Sequence, residues 1–264
     1  MIGKAKDLSD LHLAVLIDAD NIPSSCIKGV MEEIAVYGTP TIKRIYGDWT
    51  SPNIGGWKSS LLEHAITPVQ QYGYTSGKNS TDSAMIIDAM DILYSGKTDG
   101  FVILSSDSDF TRLAIRLREA GQKVIGIGER KTPMPFIVAC DKFIYIEVIR
   151  SHQKAQGCLT ISKKLPETKA KTADKSPEKL PDGDQDAAIG LIASSIADIA
   201  DHEGYAFLGE LGNLLLKKQP DFDPRNYGFL KLTPLIKSIP RFEIDVRQTR
   251  DPNIKHIYVR DTEA

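Results

Sequence analysis

The sequence FVILSSDSDF, residues 101–110, joins four consecutive apolar residues to a short acidic segment. Apolar residues then recur at helical spacing, at Phe110, Leu113, Ala114 and Leu117. A short, fully apolar run that leads into an amphipathic helix is typical of a buried strand in a parallel sheet. Asp107 and Asp109 should therefore follow the carboxyl end of that strand, where open α/β sheets bind their ligands.

The two carboxylates of this segment have more than one interpretation. Ser108 or Asp109 can cap the helix that follows, because short polar side chains accept hydrogen bonds from the first turn. A single cap uses one residue, so a second carboxylate remains close by. Two carboxylates this close repel each other unless a positive charge lies between them, and a divalent metal ion is the obvious candidate.

Strands and helices alternate along the first 150 residues, and this predicts an α/β domain with a doubly wound parallel sheet. Ser80 or Thr81 caps one predicted helix, whose apolar stripe contains Ile86, Ala89, Met90 and Leu93. Pro68 interrupts the third strand, which we therefore place near an edge of the sheet. The six predicted strands cover residues 12–17, 41–46, 66–70, 101–104, 123–127 and 143–148.

The composition changes after residue 150 and predicts a division into domains. Residues 151–186 are rich in charged residues, serine and proline and poor in large apolar residues, which predicts a flexible linker between a domain at 1–150 and a second one. Residues 187–264 carry apolar repeats again, in three predicted helices and a two-stranded hairpin. The third of these helices begins at Pro224 and continues with a kink at Pro234. This order is the winged-helix pattern.

Bulk composition limits the functional classes. The 264 residues carry a formal net charge of -2, so any nucleic-acid contact must depend on local basic patches. The cysteines at positions 26, 140 and 158 show no disulfide or metal-binding spacing, which favours a cytoplasmic, reducing environment. The N-terminus has no apolar signal core, and no run approaches the ~18 apolar residues of a membrane span.

Two further carboxylates are predicted at the same edge of the sheet. Asp18 ends the first strand, and Asp82 lies on the buried stripe of its helix, four residues before Ile86. Each acid alone has an ordinary explanation; in the first turn of a helix, for example, Asp82 is favoured by the helix dipole. Four acids that converge on one sheet edge instead indicate a metal centre.

The chemistry of these side chains favours particular ions and reactions. Hard carboxylate oxygens suit Mg²⁺ better than zinc, and the absence of a candidate His or Cys nucleophile suits hydrolysis by metal-activated water. Asp88 and Asp91 lie on the other side of their helix and are predicted to be solvated. Asn21 has two open interpretations, which are contact with the site through its amide and a local Asx turn.

Three segments resemble the NYN domain, a PIN-like nuclease family that includes the LabA-like bacterial proteins. They are LIDADN at residues 16–21, the segment 78–88, and LSSDSDF at 104–110. The resemblance covers about residues 11–148. It implies a PIN-like fold and a metal-dependent ribonuclease that uses Mg²⁺ or Mn²⁺. The metal-binding and catalytic positions would be Asp18, Asp82, Asp107 and Asp109.

The same three segments contain candidates for a secondary site. These candidates are Asn21, Lys78 and Ser106. Ser106 stands where the family often has glycine, whereas the carboxylates of the motif are all present.

The C-terminal part resembles the OST-HTH (LOTUS) domain, a winged helix associated with RNA. The similarity rests on YGFLKL at residues 227–232 and on IPRFEI at 239–244. It implies RNA as a partner, and the candidate RNA-binding residues are Arg225, Lys231, Lys237 and Arg241. Alternatively, these four basic residues belong to a charge-mixed, solvated surface that binds no RNA. A further alternative is that this domain binds a protein partner.

We therefore predict a metal-dependent endoribonuclease that is targeted to RNA by its C-terminal domain. A haloacid-dehalogenase-type phosphatase is a rival enzyme class, because the sequence from Asp18 to Asp20 imitates its Asp-x-Asp motif. That reaction makes Asp18 a nucleophile and leaves the winged helix without a purpose. A third interpretation is an RNA-binding adaptor without catalytic activity.

Overall fold

A computed structural model describes residues 11–72, 80–151, 182–248 and 255–264. The chain divides into two compact units, Met1–Lys164 and Leu165–Ala264. The predicted linker at 151–186 lies mostly outside the described residues, although residue 151 and residues 182–186 are described and are helical. Lys78 and the turn of the predicted hairpin, at residues 251–253, also lie outside the described residues. Among the residues that are described, no helix has the length and apolar character needed to cross a membrane.

The first unit is built on six parallel strands, as the alternating sequence pattern predicts. Their spatial order is β3-β2-β1-β4-β5-β6, so the chain reverses its direction of travel across the sheet between β1 and β4. The prediction that the third strand lies at an edge is confirmed. The strands are β1 His12–Asp18, β2 Thr39–Gly47, β3 Thr67–Gln70, β4 Gly100–Leu104, β5 Lys123–Gly128 and β6 Lys142–Tyr145.

Helices cover both faces of this sheet. Along β1, Val15 and Ile17 face one hydrophobic core and Leu16 faces the other, so the strand is buried on both sides. This is the environment in which continuous apolar strands are expected. The labelled α-helices of this unit, apart from a helical segment at 146–151, are α1 Ile27–Ile34, α2 Lys58–His64, α3 Ser80–Ser95, α4 Thr111–Glu119 and α5 Met134–Ala139.

Two details of the predicted pattern are wrong. The last strand ends at Tyr145, and residues 146–151 are helical. Ile146 and Ile149 are three residues apart and pack in the same core, so the β-branched run there follows a helical period. In α3 the most buried apolar residues are Met85, Ala89 and Ile92, because this helix carries apolar side chains on several sides and its stripe is ambiguous in the sequence.

In the part of the second unit that the structure describes, three α-helices combine with a three-stranded antiparallel sheet of order β7-β9-β8. The core of this unit includes Ile192, Ile196, Leu211, Leu215 and Val259. The elements are α6 Asp182–Ile199, β7 Tyr205–Phe207, α7 Leu208–Lys218, α8 Leu232–Lys237, β8 Phe242–Gln248 and β9 Lys255–Asp261.

The predicted long helix from Pro224 is two separate pieces. A 3-10 turn at Pro224–Tyr227 ends at Gly228, whose φ of 83° is accessible mainly to glycine, and α8 begins four residues later. Pro234 lies in the first turn of α8, where its missing N–H costs no helical hydrogen bond and causes no kink. The short strand β7 was not predicted.

Candidate metal centre

The carboxyl ends of β1 and β4 form the predicted ligand-binding edge of the sheet. β1 and β4 are paired in parallel, from Leu13 opposite Gly100 to Ile17 opposite Leu104. Asp18 is the last residue of β1, and Asp107 lies three residues after the end of β4. Because the strand order reverses between these two strands, the loops that follow them diverge to opposite faces and leave a crevice between them.

Asp18 is buried and held by three hydrogen bonds. Its Oδ1 accepts from the Asp20 backbone N–H at 3.1 Å, and its Oδ2 accepts from Asn21 Nδ2 at 2.6 Å and from Ser105 Oγ at 2.9 Å. Burial nevertheless raises the pKa of Asp18, and these bonds oppose that rise. Asn21 therefore reaches the site through its amide, and Asp18 itself closes an Asx turn with Asp20.

Ser105 connects the ends of the two strands, and sequence reasoning missed it. Its hydroxyl donates to Asp18 and accepts the backbone N–H of Asp107 at 3.0 Å. Asp107 Oδ1 in turn accepts the backbone N–H of Asp109 at 2.9 Å, so Asp107 caps the short 3-10 turn Ser108–Phe110. The predicted cap at Ser108 or Asp109 is therefore wrong, because Asp107 already has the extended backbone of a cap residue.

Asp82 brings a third carboxylate to this edge from the first turn of α3. One carboxylate oxygen from each of Asp82, Asp107 and Asp109 lies within 4.8 Å of the others. Burial raises the pKa of Asp82 to about 6, and repulsion from Asp18, Asp107 and Asp109 adds to the rise. Three hard oxygen donors that destabilise one another in this way fit a divalent cation of the Mg²⁺ type.

The four predicted acids do not all take the same part in this cluster. Asp18 lies outside the close group of three, and its oxygens are committed to Asn21, Ser105 and the backbone. It is close enough to raise the pKa of Asp82. Its place in the site is therefore beside the three-carboxylate group, in contact with the loop that carries Asp107.

Ser106 has a different environment from the carboxylates. It is 6% exposed, and its hydroxyl accepts the backbone N–H of Glu129 at 2.9 Å. This bond ties the end of β4 to the segment after β5. The last residue of β5, Gly128, approaches the same loop closely, because an added Cβ there would lie 2.6 Å from the carbonyl oxygen of Ser105. The hydroxyl that replaces the family's glycine thus serves the packing of the loop.

Asp88 is not solvated, and the prediction for it is wrong. It is half-buried and accepts hydrogen bonds from the Arg44 guanidinium and the Tyr46 hydroxyl, both on β2. The helical pattern alone placed it on the outer side of α3, but α3 lies against β2 as well as β1. Asp91 is exposed, as predicted.

Asp82→Asn should stabilise the metal-free protein at neutral pH. Because the pKa of Asp82 lies near 6 in the folded protein and at 3.8 ordinarily, its protonation favours folding. That contribution is fully present below pH 3.8 and is lost as the pH rises through 6. Asparagine removes the repulsion, so we expect a gain of about 1 kcal/mol at pH 7.5 after allowance for solvent screening.

Thermal unfolding in EDTA at pH 7.5 and pH 4 measures this effect. The melting temperature should rise by roughly 2–4 °C at pH 7.5 and much less at pH 4. Asp91→Asn, on the exposed side of the same helix, is the matched control. An unchanged or lower melting temperature for Asp82→Asn at pH 7.5 would contradict the repulsive cluster.

The four candidate RNA-binding residues of the second unit fall into two groups. Arg225 donates to both oxygens of Asp223, and Arg241 forms a two-pronged ion pair with Asp261 at 2.8 and 2.7 Å. Both arginines are therefore engaged with carboxylates of their own domain. The other two candidates, Lys231 and Lys237, are exposed at the two ends of α8.

A doubly wound parallel sheet with acidic side chains at its switch point fits the PIN-like α/β fold of a nuclease-like domain. The family model of the NYN domain matches residues 12–147, more than half of the chain, and the protein belongs to the NYN family. A second model, the OST-HTH/LOTUS domain, matches residues 182–254. The chain thus joins a nuclease-like domain to a domain of a class associated with RNA.

Solved structures also match parts of the chain. A protein of unknown function from Vibrio parahaemolyticus is 19% identical, with 54% of this chain and 96% of that one covered and a TM-score of 0.44. An uncharacterised protein from Nitrosomonas europaea is 30% identical, with 38% of this chain and 91% of that one covered and a TM-score of 0.29. No curated protein matches.

Proposed function

We propose that the protein is a metal-dependent ribonuclease that hydrolyses RNA phosphodiester bonds. The observation that carries this proposal is the group of three carboxylates, Asp82, Asp107 and Asp109, whose oxygens lie within 4.8 Å of one another at the switch point of an NYN domain. Such a group is unfavourable without a cation, and hydrolysis of a phosphodiester is the reaction that this family and this donor set suit best.

Asp82, Asp107 and Asp109 would hold Mg²⁺ or Mn²⁺. When bound, such a cation neutralises phosphodiester charge and favours attack by water. Asp18 would act mainly by position, because its hydrogen bonds to Asn21 and Ser105 fix the loops that present Asp107 and Asp109. Its 1% exposure is also unfavourable for the phosphatase alternative, which needs an accessible nucleophile.

A polar cleft of about 440 Å³ lies beside Asp18 and offers space for part of the substrate. It is lined by the loop after β1, by Trp57 and by the segment after β5. Asn21 belongs to this cleft and also donates to Asp18, so the cleft adjoins the carboxylates. Lys131 brings a cation to its rim, where it pairs with Glu129 at 2.7 Å. A nucleotide next to the scissile bond would lie here.

The second unit would bind RNA and so deliver it to the first. Lys231 and Lys237 are its best candidates for phosphate contacts, because both are exposed. The part of the proposed linker that lies between the helix at 146–151 and α6 would allow each domain to engage the same RNA. Two buried, unpaired cysteines, Cys26 and Cys140, suit the cytoplasmic location that we propose.

Cleavage of labelled RNA and DNA oligonucleotides, with and without Mn²⁺, tests this function. We expect fragments from RNA in Mn²⁺ and none in EDTA. A hydroxylamine-sensitive phosphoenzyme on Asp18, with no oligonucleotide cleavage, would favour the phosphatase instead. RNA binding without cleavage under any divalent cation would favour an adaptor.

A further inference from the structure

Asp88 accepts two hydrogen bonds from neighbouring positions of β2. The Arg44 guanidinium donates to Oδ1, and the Tyr46 hydroxyl donates to Oδ2. Tyr46 is 0% exposed, so its hydroxyl is removed from water. A buried hydroxyl without a hydrogen-bond partner is unfavourable, so this bond fixes where Asp88 can lie. Burial and the adjacent carboxylate also raise the pKa of Tyr46.

Tyr46 is joined to β1 as well as to α3. It lies opposite Asp18 in the pairing of β1 with β2, and its carbonyl accepts the backbone N–H of Ala19 at 3.0 Å. Its ring packs in the same core as Met85 and Ala89 of α3. Tyr46 therefore links the strand end that carries Asp18, through its backbone, to the helix that carries Asp82, through its side chain.

The position of α3 needs such support, because the carboxylates oppose it. One carboxylate oxygen of Asp82 lies within 4.8 Å of oxygens of Asp107 and Asp109, and because like charges this close repel each other, a repulsive force acts on the first turn of α3. Asp88 lies six residues further along the same helix. The hydrogen bonds of Asp88 to Arg44 and Tyr46 hold the middle of α3 against the sheet.

We propose that Tyr46 and Arg44 are positioning residues that hold α3, through Asp88, where Asp82 can share a divalent cation with Asp107 and Asp109. This inference rests on the proposed metal centre. It adds Arg44, Tyr46 and Asp88 as supporting residues, and in the described contacts none of these touches Asp82, Asp107 or Asp109. The arrangement resembles the outer-shell support of other metal sites, in which residues behind the ligands set their geometry.

Tyr46→Phe is the most selective test, because it keeps the buried ring and removes one hydrogen bond. We expect Mn²⁺ to bind about 10-fold more weakly in calorimetric titration, the low end of outer-shell effects. We also expect faster amide exchange in the middle of α3, around Met85 and Ala89, in metal-free buffer. Arg44→Met, at a more exposed position, provides a second variant if Tyr46→Phe does not fold.

Asp141→Asn is the matched control. Asp141 accepts the Val124 backbone N–H at 2.8 Å and pairs with Arg118 at 3.1 Å, at the amino end of the sheet. This variant should lower the melting temperature without a change in Mn²⁺ affinity or in α3 exchange. If Tyr46→Phe and Arg44→Met behave in the same way as this control, the positioning role is wrong and the contact is merely structural.

The two proposals fail in different ways. Asp107→Asn should weaken Mn²⁺ binding by more than Tyr46→Phe does, while amide exchange in α3 stays slow because Asp88 keeps its partners. If the wild-type protein binds no Mn²⁺, the proposed metal centre is wrong. The positioning role is tested separately by amide exchange, and an unchanged exchange rate in α3 of Tyr46→Phe would overturn it. Coupling between Tyr46→Phe and Asp88→Asn in a double-mutant cycle would support it, and strict additivity would count against it.

Discussion

Asp107→Asn should lower RNA cleavage in Mn²⁺ by on the order of 10²–10³-fold, the loss typical for removal of one preorganised electrostatic group. The asparagine oxygen can still accept the Asp109 backbone N–H, which Asp107 Oδ1 accepts at 2.9 Å, so the turn after β4 should persist. What disappears is one negative charge of the three-carboxylate group. Single-turnover cleavage of a labelled oligonucleotide measures the effect.

Asp91→Asn is the control for this comparison, since it removes an exposed carboxylate from the same domain. Its cleavage rate should remain within about twofold of the wild-type rate, as is usual for surface positions. Circular dichroism should show an unchanged fold in both variants. Full activity in both Asp107→Asn and Asp18→Asn would exclude the proposed metal centre.

Removal of the second unit should weaken the binding of long RNA and leave the rate of the chemical step unchanged. For a protein that ends at residue 150, we expect KM for long RNA to rise by about 10²-fold, because a tethered second site raises the local RNA concentration by that order. kcat on a short, saturating oligonucleotide should stay similar, since the proposed catalytic carboxylates all lie in the first unit. Steady-state kinetics on the two substrates separate these effects.

Substitution of the exposed lysines provides the matched test within the full chain. Lys231→Ala with Lys237→Ala should reproduce the rise in KM and flatten the salt dependence of RNA binding. Arg241→Ala should instead mainly lower stability, because Arg241 is paired with Asp261. If the truncated protein binds long RNA as tightly as the whole chain, the second unit does not tether RNA and a protein partner becomes the better explanation.

The sequence was sufficient for the architecture and for the edge at which the acids gather. The four apolar residues before Ser105 have no polar alternation, and such a run must be buried on both faces. Parallel strands of this kind present their carboxyl ends together, so Asp18 and Asp107 could be placed at one edge without coordinates. The prediction that Asp82 lies at the same edge followed from its position on the inward side of α3.

The partners of these acids could not be predicted, because they depend on contacts between distant segments. Ser105 connects to Asp18 across 87 positions, and Tyr46 meets Asp88 across 42. No local pattern distinguishes a serine or tyrosine that makes such a bond from one that does not. The break at Gly228 was missed for a local reason, since apolar residues on both sides of the glycine continue a helical period.

The adjacency of β1 and β4 also has a consequence for the order in which the molecule folds. Asp18 and Ser105 come together after a long loop has closed, and parallel pairings of this kind form slowly because the entropy of closure is lost before contacts compensate for it. Partly folded chains therefore lack the carboxylate group, and a cation has nothing to bind in them. A cation that binds only the folded protein would therefore slow its unfolding and leave its refolding rate unchanged.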